Sequence, residues 1–251
     1  MIDIHTHILP GVDDGAKTVE QSLFMVRQGQ EAGINTICAT PHILHQVTPQ
    51  FEQKINRSFD LLKAKIAESE SKVHLVLGSE IYVREDINSL KKFDFFTLNK
   101  TGKYLLMELP WGQFPLHVDR IVFELQLEGQ IPIIAHPERS IITKKQLGNV
   151  ENLVQKGALM QVNAGSLLGF FGRKIKRMTE ELLRQNLVHF LASDAHDHFS
   201  CSIEILPQAF SCASKIIGEK KAKELVLSNP QRVIQGEKLT NSKIPLSFGS
   251  E

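Results

Sequence analysis

What this 251-residue chain lacks narrows its chemistry before any motif is read. It has no excess of either charge, since 29 basic against 28 acidic side chains leave a formal charge of +1. Domains that bind nucleic acid by neutralising phosphates normally carry a basic surplus, so that class is disfavoured. Cysteine is scarce. Cys38, Cys201 and Cys212 form an odd set with no CxxC pair, which excludes a disulfide framework and fits a reducing, cytoplasmic setting. No apolar run approaches the roughly 18 residues that span a bilayer. The opening Met1-Ile2-Asp3-Ile4-His5 also lacks the basic and apolar regions of a signal peptide, and no lipidation signal is found. A chain this long buries a full core without staples, so a metal here serves chemistry rather than folding.

The cysteines exclude one further class. Cysteine-based phosphatases need an arginine six positions after the nucleophile, and here those positions hold Leu44, Pro207 and Gly218. Gly15-Ala16-Lys17-Thr18 lacks the Gly-Lys-Thr adjacency of a phosphate-binding loop. Lys17 is read as solvated and Thr18 as a helix cap. His196-Asp197 resembles the His-Asp pair of an all-helical phosphohydrolase class, which does not fit the rest of this chain.

What is present is an alternation of apolar runs with segments of helical period, the pattern of an α/β fold with a parallel sheet. The runs predict seven strands: Ile2 to His5, Thr36 to Thr40, Val73 to Gly78, Tyr104 to Glu108, Ile131 to Ala135, Leu159 to Val162 and Val188 to Ala192. Helices are expected over Val19 to Ala32, Phe51 to Ser69, Asp119 to Glu128, Thr143 to Gln155, Ile175 to Arg184 and Ser202 to Ile217. Thr18 and Gln21 suggest a capping box, and Gly33 a C-terminal stop. With no linker or internal repeat, residues 1–238 read as one domain, followed by a loosely held tail over 239–251 rich in Ser, Lys, Gly and Pro.

The first strand ends in His5-Thr6-His7, whose imidazoles share a face because strand side chains alternate. Alone, His-x-His is a weak motif. Five further strand ends also carry a His, Glu or Asp where the apolar run stops: Thr40-Pro41-His42, Gly78-Ser79-Glu80, Met107-Glu108, Ala135-His136-Pro137-Glu138-Arg139 and Ser193-Asp194-Ala195-His196. Scattered caps and turns would not respect strand ends so consistently. Side chains from so many ends meet only if the sheet closes, which favours a barrel over an open sheet. Imidazole with carboxylate suits manganese, iron or zinc, and so many ligands exceed the need of one ion. A multinuclear metal hydrolase is the chemical class these residues imply.

Met1-Ile-Asp-Ile-His-Thr-His7, Gly11-Val-Asp-Asp-Gly15, Ala39-Thr-Pro-His42, Ala135-His-Pro-Glu-Arg139 and Ser193-Asp-Ala-His196 together resemble the polymerase and histidinol phosphatase (PHP) superfamily. Within it the likeness is to the metal-dependent protein-tyrosine phosphatases encoded with bacterial capsule and exopolysaccharide genes, the CpsB/YwqE type. The resemblance runs from the first residue to about Arg232. It implies a distorted seven-stranded (β/α) TIM-like barrel with two or three divalent ions, usually Mn2+, at the carboxyl ends of the strands. By resemblance, His5, His7, Glu80 and Asp194 hold one ion. Glu80 bridges to a second held by Glu108 and His136, and Asp14, His42 and His196 hold the third. Asp13 is the alternative to Asp14, and a simple turn is the alternative for that loop.

Arg139 is the expected phosphate-gripping guanidinium, its alternative being a surface salt bridge with Glu138 or another acid. The ions lower the pKa of a water, so that hydroxide attacks phosphorus in line without a phosphoenzyme. His42 and Asp197 are the candidate general acids. The implied substrate is a phosphotyrosine protein, the C-terminal tail of a bacterial tyrosine kinase that regulates polysaccharide export, with neither nucleic acid nor membrane insertion involved. One departure bears on activity: relatives carry a second phosphate-binding arginine after the last motif, where this chain has Cys201, so Arg173, Lys174 or Arg84 would have to substitute. Two alternatives follow, a small-molecule phosphatase of histidinol-phosphate type and a non-catalytic scaffold that binds the kinase. His45, His74, His117, His189 and His198 match no strand end and read as bystanders. The basic run Arg173-Lys174-Ile175-Lys176-Arg177 reads as a solvated helix face, or a receiver for an acidic protein tail.

Overall fold

The structure is a computed structural model that describes residues 1–141, 144–197 and 202–239. Its strands are β1 (Ile2–Thr6), β2 (Thr36–Ala39), β3 (His42–Ile43), β4 (His74–Leu77), β5 (Glu80–Tyr82), β6 (Tyr104–Glu108), β7 (Ile131–Ala135), β8 (Leu159–Asn163) and β9 (Phe190–Ala192). All pairings are parallel, in the orders β1-β2-β4 and β3-β5-β6-β7-β8-β9. Only Thr40-Pro41 separates β2 from β3, and only Gly78-Ser79 separates β4 from β5. Each pair is therefore one stave, interrupted where the sheet bends, and the staves match the seven expected strands.

Backbone hydrogen bonds carry the pairing across both gaps. Gly78 N donates to Ala39 O (2.9 Å) and Glu80 N to Pro41 O (3.1 Å). At the other seam Asp194 N donates to His5 O (3.0 Å) and His7 N to Ala195 O (2.8 Å), beside a parallel bridge from Thr6 to Ala195. The last stave thus pairs with the first, and the sheet closes. Inside the ring pack Ile4, Cys38, Val76, Leu106, Ile133 and Phe190, floored by Leu98, Val233 and Leu239. Cys38 is a buried strand residue, as free cysteines commonly are. A second apolar layer joins the outer strand faces to the surrounding helices.

Those helices are α1 (Val19–Glu31), α2 (Pro49–Glu68), α3 (Val118–Leu127), α4 (Pro137–Ser140), α5 (Lys144–Gln155), α6 (Ala164–Leu168), α7 (Arg173–Arg184), α8 (Leu206–Ile217), α9 (Glu219–Lys223) and α10 (Asn229–Ile234). Thr18 Oγ1 caps α1 by accepting from Gln21 N at 3.3 Å. The Gln21 amide, however, accepts from Lys17 N at 2.7 Å, one residue short of a reciprocal capping box. Gly33, at φ +79°, ends α1 in a Schellman turn, with Ile34 N on Gly29 O (2.8 Å) and Gly33 N on Gln30 O (3.0 Å). Helix α2 starts earlier than its apolar period, because Thr48 caps it and Pro49 suits the first turn. Its buried Ile55, Leu62 and Ile66 face the barrel, each contributing roughly 1.5–3 kcal/mol of transfer free energy.

The helix expected from Ser202 divides into a 3-10 turn (Ile203–Ile205) and α8, since Pro207 lacks the N–H a continuous helix requires. Helices α4 and α6 are too short for periodicity to announce, and α9 and α10 were likewise not expected. Leu239 is buried against the barrel floor, whereas residues 240–251 lie outside the described residues, as do Thr143, His198 and Cys201. Among the described residues no helix is long and apolar enough to cross a membrane.

Candidate metal centre

The carboxyl ends of the strands bring the expected residues to one place. A register shift in β1 between Asp3 and Thr6 aims the two histidines. The bulge is held by Asp3 Oδ1, which accepts from His5 N (3.3 Å) and from Ser193 N beyond β9 (3.2 Å). The Nε2 atoms of His5 and His7 end 3.2 Å apart, both fully buried. Glu80 Oε2 lies 3.2 Å and 3.3 Å from them, and Asp194 Oδ1 likewise 3.2 Å and 3.3 Å.

The protons of this quartet follow from its surroundings. Ionised Asp194 can only accept, so the Asn163 amide must donate to its Oδ2 (2.6 Å). Asn163 Oδ1 then accepts from Gln161 Nε2 (2.8 Å), which turns Gln161 Oε1 toward His5 Nδ1 (2.9 Å). His5 therefore carries its neutral-form proton on Nδ1. His7 does the same, because its Nδ1 faces Asp13 Oδ2 at 2.8 Å. Two imidazole lone pairs and two carboxylate oxygens are left pointing at one spot. Glu80 Oε2 and Asp194 Oδ1 have no hydrogen-bond partner among the described residues.

Four buried ligand atoms this close together, two of them carboxylate oxygens, call for positive charge at their centre. The electrostatics agree. Burial opposes charge on His5, yet Glu80 and Asp194 outweigh it and lift its pKa to about 9. His7 is raised as well, with burial opposing and Asp13, Asp194 and Glu80 prevailing. The site thus draws positive charge.

Two further groups adjoin it. Glu80 Oε1 lies 2.8 Å from His136 Nε2, which is 3.9 Å from Glu108 Oε1, while His42 Nδ1 sits 2.9 Å from Glu80 Oε2 and 3.7 Å from Glu108 Oε2. Burial and the neighbouring Glu80 raise the Glu108 pKa. On the outer side, Asp14 Oδ1 is 3.6 Å from His42 Nε2 and 3.4 Å from His196 Nε2. His196 Nδ1 donates to Asp194 O (3.0 Å), leaving its Nε2 lone pair toward Asp14. Burial lowers the His196 pKa and favours the neutral ring. Three sets of side chains can therefore each hold an ion: His5, His7, Glu80 and Asp194; His42, Glu80 and Glu108; and His7, Asp14, His42 and His196.

The register of the Asp13-Asp14 pair separates two roles. Asp14 is exposed and faces His42 and His196. Asp13 is turned inward, orienting His7 and accepting from His42 N (3.0 Å) and Gly15 N (3.0 Å). The loop is more than a turn. His136 (φ 31°), directly after β7, and Asp194 (φ 54°), two residues past the end of β9, sit in the left-handed region that non-glycine residues seldom occupy.

Arg139 does not pair with Glu138, whose Oε1 accepts from Asn163 N at 3.0 Å. Its guanidinium reaches Asp194 Oδ2 (3.0 Å) and lies over the ring of Phe171 (4.3 Å), with Trp111 (5.4 Å) set edge-on to that ring. Beside the outer group, a hollow of about 470 Å³ is lined by Val12, Leu44, His45 and Phe51 together with His42 and Asp14. His45 thus borders the centre, whereas His74 and His117 lie exposed elsewhere. Gln161, Asn163 and Asp3 escaped the sequence reading. Two polar residues at alternate positions of an otherwise apolar strand, Leu159-Met-Gln-Val-Asn163, were the available signal.

Comparison with known proteins places this centre among relatives. Residues 1–235 match the family described as capsular polysaccharide synthesis, CpsB/CapC. The chain is 39% identical over 198 residues to the tyrosine-protein phosphatase YwqE of Bacillus subtilis, covering 78% of each chain. It is 32% identical over 243 residues to the tyrosine-protein phosphatase CpsB of Streptococcus pneumoniae, covering 94% of this chain and 99% of that one. A crystal structure from work on those two proteins, described as metal-dependent tyrosine phosphatases, superposes with a TM-score of 0.87 at 34% identity over 95% of this chain and 96% of the other.

Proposed function

The chain belongs to the capsular polysaccharide synthesis CpsB/CapC family, and from that premise we propose that it is a metal-dependent tyrosine-protein phosphatase, a single domain over residues 1–238. Its substrate is a phosphotyrosine protein of the cytoplasm, a bacterial tyrosine kinase that regulates capsule or exopolysaccharide synthesis. The observation that carries the reading is the convergence of four buried ligand atoms, two imidazole Nε2 atoms with Glu80 Oε2 and Asp194 Oδ1, at 3.2–3.3 Å.

His5, His7, Glu80 and Asp194 would hold one divalent ion, Glu80 with Glu108, His136 and His42 a second, and Asp14, His42 and His196 a third. Manganese suits the imidazole and carboxylate donors, with iron or zinc as substitutes. Ions in such a site supply charge stabilisation at phosphoryl oxygens and a water nucleophile at neutral pH.

The chain's own residues do the rest. Asp13 and Gln161 keep His7 and His5 in the tautomer that presents a bare Nε2. Arg139, seated over the Phe171 ring beside Trp111, binds the phosphoryl oxygens. The apolar wall of Val12, Leu44 and Phe51 receives the aryl ring, whose phenolate leaves without strong acid assistance.

Metal analysis of purified protein, with phosphotyrosine-peptide turnover measured before and after chelation, tests the reading. Turnover should vanish with chelator and return with Mn2+, and chelator-insensitive turnover would refute the metal mechanism. Histidinol phosphate serves as competitor substrate: much faster turnover of it would move the assignment to small molecules. If the wild type is inactive with Mn2+ and Cys201→Arg gains turnover, the chain is instead a kinase-binding scaffold.

A further inference from the structure

Helix α7 opens with charges in an unfavourable place. Arg173, Lys174, Lys176 and Arg177 crowd its first five residues, where the helix dipole is already positive, and no acidic residue stands in the first turn. Like charges this close destabilise a helix. Among the described residues none of the four forms an ion pair with an acid, whereas Arg184 at the other end pairs with Glu180 at 3.0 Å. Arg173, Lys174 and Arg177 are exposed. They border a hollow of about 700 Å³ with Leu147 and Met178, and Glu181 lies farther along its wall.

The position of this face relative to the centre gives it meaning. Phe171, whose ring covers the Arg139 guanidinium at 4.3 Å, precedes Arg173 by two residues, and α4, which carries Arg139, packs against α7. A polypeptide whose phosphotyrosine reaches Arg139 can continue past Phe171 directly onto Arg173, Lys174 and Arg177. Resting on the phosphatase reading above, we infer that this basic face of α7 is a docking surface for an acidic stretch of the phosphoprotein substrate, next to the phosphotyrosine being hydrolysed. The charge matches, since the chain as a whole is nearly neutral and here concentrates unpaired cations beside an anion-handling centre. Leu147 and Met178 supply apolar contact for the intervening side chains.

The test compares wild type with the double variant Lys176→Glu and Arg177→Glu, which leaves the candidate phosphate-binding Arg173 and Lys174 in place, both as full chains loaded with Mn2+. Substrates are p-nitrophenyl phosphate, a phosphotyrosine peptide flanked by acidic residues, and the same peptide with neutral flanks. For the acidic peptide the variant's KM should rise about tenfold or more, with the wild-type preference fading as salt is raised past about 0.15 M. Turnover of p-nitrophenyl phosphate should match wild type, which also shows that the variant folds. Equal KM values for both peptides in both proteins would overturn the docking surface. So would a variant that keeps its peptide preference and loses only affinity for anionic phosphatidylserine vesicles. If no substrate is turned over by wild type, the phosphatase reading itself fails, a result distinct from either.

Discussion

One Gly→Ala substitution at two positions should have opposite effects. A Cβ built on Gly15 would lie 1.9 Å from His7 O, 2.5 Å from His7 Cβ and 2.7 Å from His7 C. All three obstacles belong to a single residue's main chain and its first side-chain atom, so no flexible tip can move aside. The loop must shift by about 1 Å or more, which strains the bond from Ala16 N to His7 O (3.0 Å) and moves His7. Overpacking costs about 1–3 kcal/mol, and a buried carbonyl stripped of its donor a further 1–3 kcal/mol. Gly15→Ala should therefore lose about 2–6 kcal/mol, a large part of a typical domain's stability. Displacing His7 by this distance should cut metal-dependent turnover roughly 10²-fold. Gly148 is the contrast: it lies exposed within α5 with nothing within 4 Å of a built Cβ. Gly148→Ala should gain about 0.5–1 kcal/mol and leave turnover unchanged. Urea denaturation and p-nitrophenyl phosphate hydrolysis with Mn2+ read both quantities. A Gly15→Ala protein as stable and active as wild type would refute the close packing of this loop on His7.

Asp13→Asn should lower metal affinity or turnover about 10–100-fold without unfolding the chain, since the amide no longer enforces the His7 tautomer; isothermal titration with Mn2+ checks this. Arg139→Lys should lose on the order of 10²-fold in turnover while KM for small aryl phosphates changes less, because an ammonium can neither grip two phosphoryl oxygens in a plane nor lie flat over the Phe171 ring. His189 supplies a pH dependence. Burial lowers its pKa to about 4, and its Nδ1 accepts from Met160 N at 3.1 Å. The unfolded chain binds the proton more readily, so this contribution is complete above about pH 6.5 and is lost as pH falls toward 4. Between pH 7 and pH 5 the loss amounts to at most about 2 kcal/mol. Denaturation midpoints of His189→Gln should fall less over that interval than those of wild type, and parallel losses would contradict the assignment.

Much of the fold was legible because the sheet is buried on both sides. A strand packed inside and out must be apolar along its length, so each run marks a stave and each terminal His, Glu or Asp marks its open end. That logic reached His5, His7, His42, Glu80, Glu108, His136, Asp194 and His196. It did not reach the short helices, which follow from contacts rather than periodicity, or the division of the expected Ser202 to Ile217 helix ahead of Pro207. Gln161 and Asn163 were hidden because a polar pair inside a strand carries meaning only once its partners across the barrel are known.

Local chemistry, written in the order of residues, thus determined which strands exist, where they stop and what donors stand at their ends. Tertiary structure alone decided which of two adjacent aspartates turns inward toward His7, that Arg139 answers Asp194 rather than Glu138, and that a relay through β8 sets the His5 proton. Hydrophobic burial repeats along a chain and can be read from it. A hydrogen bond between residues 156 positions apart, such as Gln161 to His5, depends on ring closure, register and a β1 bulge that no single segment encodes.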